Sequence, residues 1–458
     1  MFNDPVFQSF VAERPIAVMA QMAIGRLLHS HTVDKTFAMT SEQQYERTML
    51  FSSLTKLMSE VVLGKQPSVN AAYKKLKDDI GVSLTAVYNK LDRVEPRIFQ
   101  ALVRHSYQQV LEIRKDLGGN RQNEVPGYRT RIFDGNHFSK TEHRLAETRD
   151  ITAAPLPGKC IAVLDPRFEA IVDYFPIEDG HAQERSALDE LIETVQRNDL
   201  WVGDRNFCTL KLFYKISLAK AAFVIRHHKK LVGLGLSKRK KVRTCETGVI
   251  YERTMKLPPY EGRTMTVRRI EIDLKTPTRD GDTTLVILTN LPRKAANAFK
   301  IVEVYRNRWK IETAFQTLTV ALNCEVNTLC YPKAALFVFA LASVAYNAIA
   351  VVEAAIAREH GREEAELLSR YYMALEISQA TDGMLVALPV EQWLELATLP
   401  LSDYTSALCD IAKGIDLSVY RKSIRGPKKP KPKKKHQKRK VHVSSAKILA
   451  QRYAGVAC

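Results

Sequence analysis

The chain has 458 residues, 45% of them hydrophobic and 26% charged, which excludes wholesale disorder, a collagen-like fibre and a disulfide scaffold. Lys and Arg number 69 against 50 Asp and Glu, a formal charge of +19, and an excess of that size points to a polyanionic partner, nucleic acid before anionic membrane. Seven scattered cysteines with no Cys-x-x-Cys pair argue for free thiols in a reducing cytoplasm and against a zinc site. The first ten residues, MFNDPVFQSF, hold no basic region ahead of an apolar core, so no signal peptide is expected. Residues 1–120 read as helical. Within them, 69–94 has the outline of a helix-turn-helix. Ala72, Leu76 and Ile80 keep helical spacing, Gly81 permits a left-handed turn, Ser83 can cap a second helix, and Val87 and Leu91 repeat on it. Such a pair either lays its second helix in a major groove, making 1–120 a DNA-binding domain, or is plain helical packing.

Gly118, Gly119, Asn120, Pro126 and Gly127 then mark a boundary. Strands are expected at 130–138, 159–176 and 200–207, the second long enough for a hairpin around Asp165-Pro166-Arg167, with an amphipathic helix at 184–199 between the last two. Strand, hairpin, helix, strand predicts an α/β fold with a partly antiparallel sheet over 128–220. Residues 221–292 read as a mostly β insertion, after which helices resume over 293–360. The run 334–352 is uncharged for nineteen positions. It is long enough to span a bilayer, but its Ala content and the lack of a second span favour a buried core helix and no membrane. Residues 361–458 close the chain as a helical region with a basic tail. Positions 421–440 carry twelve Lys or Arg and no acid, and without them 57 basic side chains face 50 acidic ones. That tail cannot form a core, and reads either as a solubilising segment or as a phosphate-binding arm.

Three acids stand out by context. Asp134 ends an apolar strand before Gly135, Asp204 ends the apolar strand LWVGD, and Glu312 lies in the helical segment 301–322. Carboxylates at neighbouring strand ends, with one from a packed helix, suit Mg²⁺ or Mn²⁺. Two such ions about 3.5–4 Å apart activate an attacking oxygen and stabilise a leaving one in phosphodiester cleavage. At about 100° per residue, Tyr305, Arg308, Glu312 and Thr319 share an arc of roughly 60° beside an apolar one. Arg308 is placed there to hold a phosphate through its planar fork. An Asp-Gly turn and a solvated surface stripe would look much the same.

Tyr305-x-x-Arg308-x-x-x-Glu312 resembles the tyrosine-arginine-glutamate-lysine signature of cut-and-paste bacterial insertion-sequence transposases. IFDGNHF resembles that family's first-Asp motif, WVGDRNF its second, and FVIRHH the strand that supplies a basic DNA contact, here Arg226. The likeness covers about 128–350. It implies a ribonuclease H-like mixed sheet flanked by helices, interrupted by the β insertion. It also implies a DDE triad of Asp134, Asp204 and Glu312 holding two Mg²⁺ or Mn²⁺ ions, with Tyr305, Arg308 and Arg226 on DNA. The implied activity is excision and insertion of the protein's own mobile element by DNA hydrolysis and transesterification. Its partners are then terminal inverted repeats and target DNA, acted on by a homodimer on the bacterial nucleoid. The sequence departs from the pattern at Thr319, where the signature has Lys, and at Asn136, where Ser or Thr is common. Its tryptophans, Trp201, Trp309 and Trp393, all lie outside the insertion, where some relatives use one against a flipped base. A metal-dependent nuclease or resolvase on the same fold, or a non-catalytic DNA-binding protein, are the rival readings.

Overall fold

The computed structural model describes residues 4–43, 49–118, 122–142, 145–278, 281–423 and 442–456. It opens with the helices Pro5–Glu13 (α1), Pro15–Leu27 (α2), Ser30–Thr40 (α3), Phe51–Val62 (α4), Val69–Ile80 (α5), Leu84–Arg93 (α6) and Pro96–Asp116 (α7). The expected helix pair is α5 and α6. Ser68 Oγ accepts from Ala71 N–H and Ser83 Oγ from Ala86 N–H, each at 3.2 Å, and Gly81 turns the chain at φ +64°. Val69, Ala72, Ile80, Val87 and Leu91 are buried, whereas Thr85, Tyr88 and Asn89 of α6 face solvent.

The strands Arg129–His137 (β1), Ala154–Leu156 (β2), Lys159–Asp165 (β3) and Ala170–Ile177 (β4) follow, with the hairpin turn at 166–169 as expected. The helix expected at 184–199 is shorter, a 3₁₀ turn at Glu184–Ala187 leading into Leu188–Glu193 (α8). After it come Asp199–Gly203 (β5), Leu210–Leu218 (α9) and Ala222–Arg226 (β6). The insertion supplies Gly235–Leu236 (β7), Lys240–Thr244 (β8), Gly248–Lys256 (β9), Thr266–Leu274 (β10) and Thr284–Thr289 (β11). These strands extend the central sheet, whose order is β4-β3-β1-β5-β6-β11-β10-β9-β7, with β8 also on β9. β1, β5 and β6 are mutually parallel and their other neighbours antiparallel. Both faces of the parallel strands are buried. Ile132, Leu200, Val202 and Val224 meet the main helical core, while Phe133, Trp201, Phe223 and Ile225 pack with α9 on the other side.

Helices Ala298–Arg306 (α10), Trp309–Ala321 (α11), Pro332–His360 (α12), Arg362–Glu366 (α13), Arg370–Ala387 (α14), Val390–Thr398 (α15) and Leu401–Lys413 (α16) complete the body. The apolar run 334–352 lies in α12, and its membrane-length window is wholly buried. A helix apolar on every side needs neighbours all round, and α2, α7 and α16 supply them. The N-terminal and C-terminal helical regions therefore share one core through α12. Ser343 and Asn347 are the buried polar residues of this run; Ser343 bonds back to Phe339 C=O, and Asn347 reaches the sheet. Its amide accepts from Ile171 N–H at 2.7 Å and donates to Ile171 C=O at 2.9 Å, satisfying both backbone groups on the edge strand β4.

The C-terminal region differs from a simple tail. Residues 424–441, most of the basic run, lie outside the described residues. The chain beyond them docks: His442–Ser444 (β12) pairs in parallel with β2, and Ser445–Val456 (α17) places Arg452 on Glu147 at 2.7 Å. In class the fold is ribonuclease H-like, a mixed sheet flanked by helices with a β insertion, between helical regions at either end.

Candidate active site

The parallel registers place three of the candidate residues in one row. Ile132 pairs with Val202, and Gly203 with Ile225. Extended one or two residues, these registers bring Asp134, Asp204 and Arg226 level on β1, β5 and β6. Ligand clefts in parallel sheets form at this carboxyl end. Side chains alternate along a strand, so Asp134 shares the face of Ile132, which is the face covered by α10 and α11. Asp134 ends the apolar part of its strand but not the strand itself, which runs on as the expected 130–138 has it. β1 continues to His137 because β3 still pairs with it, while β5 has already stopped. The Asp134 carboxylate thus emerges where one neighbour is missing.

The helix expected over 301–322 is also broken. Asn307 and Arg308 form a tight turn between α10 and α11, with i to i−3 bonds from Arg308 N–H to Tyr305 C=O and from Ile311 N–H to Arg308 C=O. The turn winds the chain faster than an α-helix. Tyr305 and Arg308 are consequently buried, while Glu312 keeps a side chain 42% exposed. Asn307 Nδ2 donates to Glu124 Oε1 at 2.8 Å, tying the break to the loop before β1. Burial raises the Glu124 carboxyl above its ordinary range. Nothing in the sequence marks Glu124, which sits in a stretch read only as a boundary.

Arg308 joins the acids. Its Nη1 donates to Asp134 Oδ2 and its Nη2 to Glu312 Oε1, both at 2.6 Å. Tyr305 hydroxyl donates to Asp204 Oδ1 at 3.3 Å. Burial pushes Asp134 up to about 7, opposed by the Arg308 charge and reinforced by that of Asp204. Burial likewise raises Tyr305, which keeps its phenol protonated as a donor. Arg308 Nε is buried without a partner, so the guanidinium retains an unused donor. Arg226 is paired with Asp282 of the β10–β11 loop at 2.7 Å. Thr319 stands apart from the cluster, exposed on α11 with its hydroxyl 3.6 Å from Cys324 Sγ.

Residues 126–348 match the family described as transposase DDE domain. The matched stretch runs from just before β1 to within α12 and contains Asp134, Asp204, Arg226, Tyr305, Arg308 and Glu312. No curated protein matches the chain. A transposase DDE domain, of the DDE transposase and nuclease class and acting on DNA, thus covers part of the chain on a ribonuclease H-like fold. The donor set of the DDE domain suits a hard cation, since Asp134, Asp204 and Glu312 offer only oxygen. Among the described residues, no three His, Cys, Asp or Glu are gathered as a metal site. Between Asp134 and Glu312 the positive charge is that of Arg308.

Proposed function

We propose that the protein is a DNA transposase that excises and inserts its own mobile element. The observation that carries this reading is the level row of Asp134 and Asp204, joined to Glu312 by the Arg308 guanidinium. Asp134, Asp204 and Glu312 would hold Mg²⁺ or Mn²⁺, two ions by the family resemblance. When bound, these supply Lewis acidity at the phosphate and acidify the attacking oxygen. Arg308 turns from the carboxylates to a phosphate oxygen, for which its fork and unused Nε suit it. Tyr305, held protonated, donates beside Asp204. Arg226 exchanges Asp282 for backbone phosphate.

In the first step water attacks phosphorus at the element end, the P–O3′ bond breaks, and the leaving oxygen takes up a proton as a 3′-hydroxyl. In the next step that hydroxyl attacks a second phosphodiester, forming one P–O bond as another breaks. The joining step forms one phosphodiester for each one it breaks, and the first step is a hydrolysis that runs downhill, so no nucleotide cofactor is required. The partners are terminal inverted repeats and target DNA, handled by a homodimer on the nucleoid. The test is incubation with DNA carrying the ends that flank its gene, Mg²⁺ and a target duplex, with strands sized on a denaturing gel. A nick at the end followed by a joined strand supports the transposase. Nicks without joining support a nuclease. Cutting by Asp134→Asn equal to wild type removes this site from the chemistry.

A further inference from the structure

We infer that Glu184 is a positioning residue for the two aspartates, a strut that holds the loop after Asp204 against the end of β1. The inference rests on the transposase reading, under which Asp134 and Asp204 must keep a fixed spacing. The sheet does not provide that spacing by itself. The β1–β5 ladder ends at Ile132–Val202, two residues short of both acids. Beyond it, β1 is held only by β3, and Asp204 opens a short 3₁₀ turn, Arg205–Phe207.

Glu184 spans this gap from the far side of the sheet. One carboxylate oxygen, Oε2, accepts from Asn206 Nδ2, two residues beyond Asp204. The other, Oε1, lies 3.2 Å from His137 Nε2, three residues beyond Asp134. The adjacent Arg185 Nε donates to Asn206 C=O at 2.5 Å, gripping the same turn through its backbone. Gly135 makes the approach possible: a Cβ there would sit 2.2 Å from Glu184 Cδ. The glycine after the first aspartate therefore serves packing, since it leaves room for the carboxylate directly behind Asp134. The Glu184 side chain is only 13% exposed, so its bonds are sheltered from competing water. Losing such outer support around metal-holding carboxylates costs about ten- to a hundredfold in metal affinity or activity.

The experiment uses the full chain with Glu184→Ala, Glu184→Gln, Asn206→Ala, Gly135→Ala and the Glu184→Ala/Asn206→Ala double variant. Hydrogen exchange is followed over 133–138 and 203–209, nicking is titrated with Mg²⁺, and end-DNA binding and thermal midpoint are recorded. Glu184→Ala should speed exchange in both segments and raise the Mg²⁺ needed for half-maximal nicking about tenfold. End binding and midpoint should stay near wild type. Gly135→Ala should reproduce this by displacing the carboxylate. Glu184→Gln, which keeps an acceptor for Asn206, should fall between. The double variant should be no worse than Glu184→Ala alone, because both remove one strut. Unchanged exchange at 203–209, or a loss of nicking that tracks the midpoint and ignores Mg²⁺, would overturn the strut. If the wild type itself does not cut, the transposase reading falls and the exchange of the two segments alone decides the strut.

Discussion

Arg308 carries two roles that compete for the same atoms. Its Nη1 and Nη2 are committed to Asp134 and Glu312, yet a phosphate bound there needs the same planar fork. Arg308→Ala should lower strand joining about ten- to a hundredfold, since a charge-assisted contact is worth roughly 1.5–3 kcal/mol. Arg308→Lys should restore only part of it, because an ammonium presents no fork. Quantifying joined product against time for the three proteins checks both statements, and equal rates would place Arg308 in folding alone. Thr319 makes a contrasting case. It is exposed, with its hydroxyl 3.6 Å from Cys324 Sγ, so Thr319→Lys should shift stability by no more than about 0.5 kcal/mol. A larger fall in thermal midpoint would mean that the end of α11 packs more tightly than its exposure indicates.

At the scale of elements, the sheet is fastened to its helices by a buried ionic knot. Asp165, at the end of β3, accepts from Arg131 of β1, from Arg167 of the following turn and from the Tyr107 hydroxyl of α7, each at 2.7 Å. Burial alone would raise this carboxyl. The Arg167 hydrogen bonds and the Arg131 and Arg167 charges outweigh it and hold Asp165 at about 2. A folded value below the ordinary one near 3.8 stabilises the native state above that ordinary value. The contribution, about 2 kcal/mol, is lost as pH falls from about 4 through about 2. Asp134 and Asp173, pushed up to about 7 and about 6, act in the opposite sense, weakening the fold as pH rises through those values. The acid effect of Asp165 is therefore read as a difference between proteins. Asp165→Asn should lie well below wild type in thermal midpoint at pH 6, with the gap narrowing between pH 4 and pH 2. A constant gap across that range would show that ionisation of Asp165 contributes nothing.

Along the whole chain, positive charge is concentrated in two stretches. One is the basic run at 421–440, bracketed by docked chain on both sides. The other is the start of the insertion, from the loop after β6 to the edge strand β8, where Lys229, Lys230, Lys238, Lys240, Lys241 and Arg243 are exposed and no acid occurs between 227 and 245. Phosphate contacts from such segments add affinity through counterion release and carry no base information. Lys240→Glu with Lys241→Glu should weaken binding to all duplexes alike and flatten the salt dependence by a slope of about two. Deleting 424–441 should act in the same sense. Binding curves at several salt concentrations on end and unrelated DNA check this, and a change in which sequence is preferred would contradict it.

Local pattern was enough to read the elements that depend on nearest neighbours. Ser83 and Gly81 announce the α5–α6 turn, Asp165-Pro166 the β3–β4 hairpin, and the uncharged stretch at 334–352 a helix that must be buried. Motif spacing picked out Asp134, Asp204, Arg308 and Glu312 as one group, because strand ends and a helical stripe are visible in a single chain. Tertiary structure decided the rest. The break at Asn307 depends on Glu124, 183 residues away, and no periodicity records a hydrogen bond of that separation. That β1 loses β5 after Ile132 and runs on beside β3 alone is a matter of partner lengths rather than of β1 itself. The insertion reads as an interruption, yet it extends the sheet because β6 offers an open edge to β11. In the sequence Glu184 only opens the amphipathic stretch 184–199. Only the sheet, by bringing residues 135, 137 and 206 together behind the acids, gives its carboxylate something to hold.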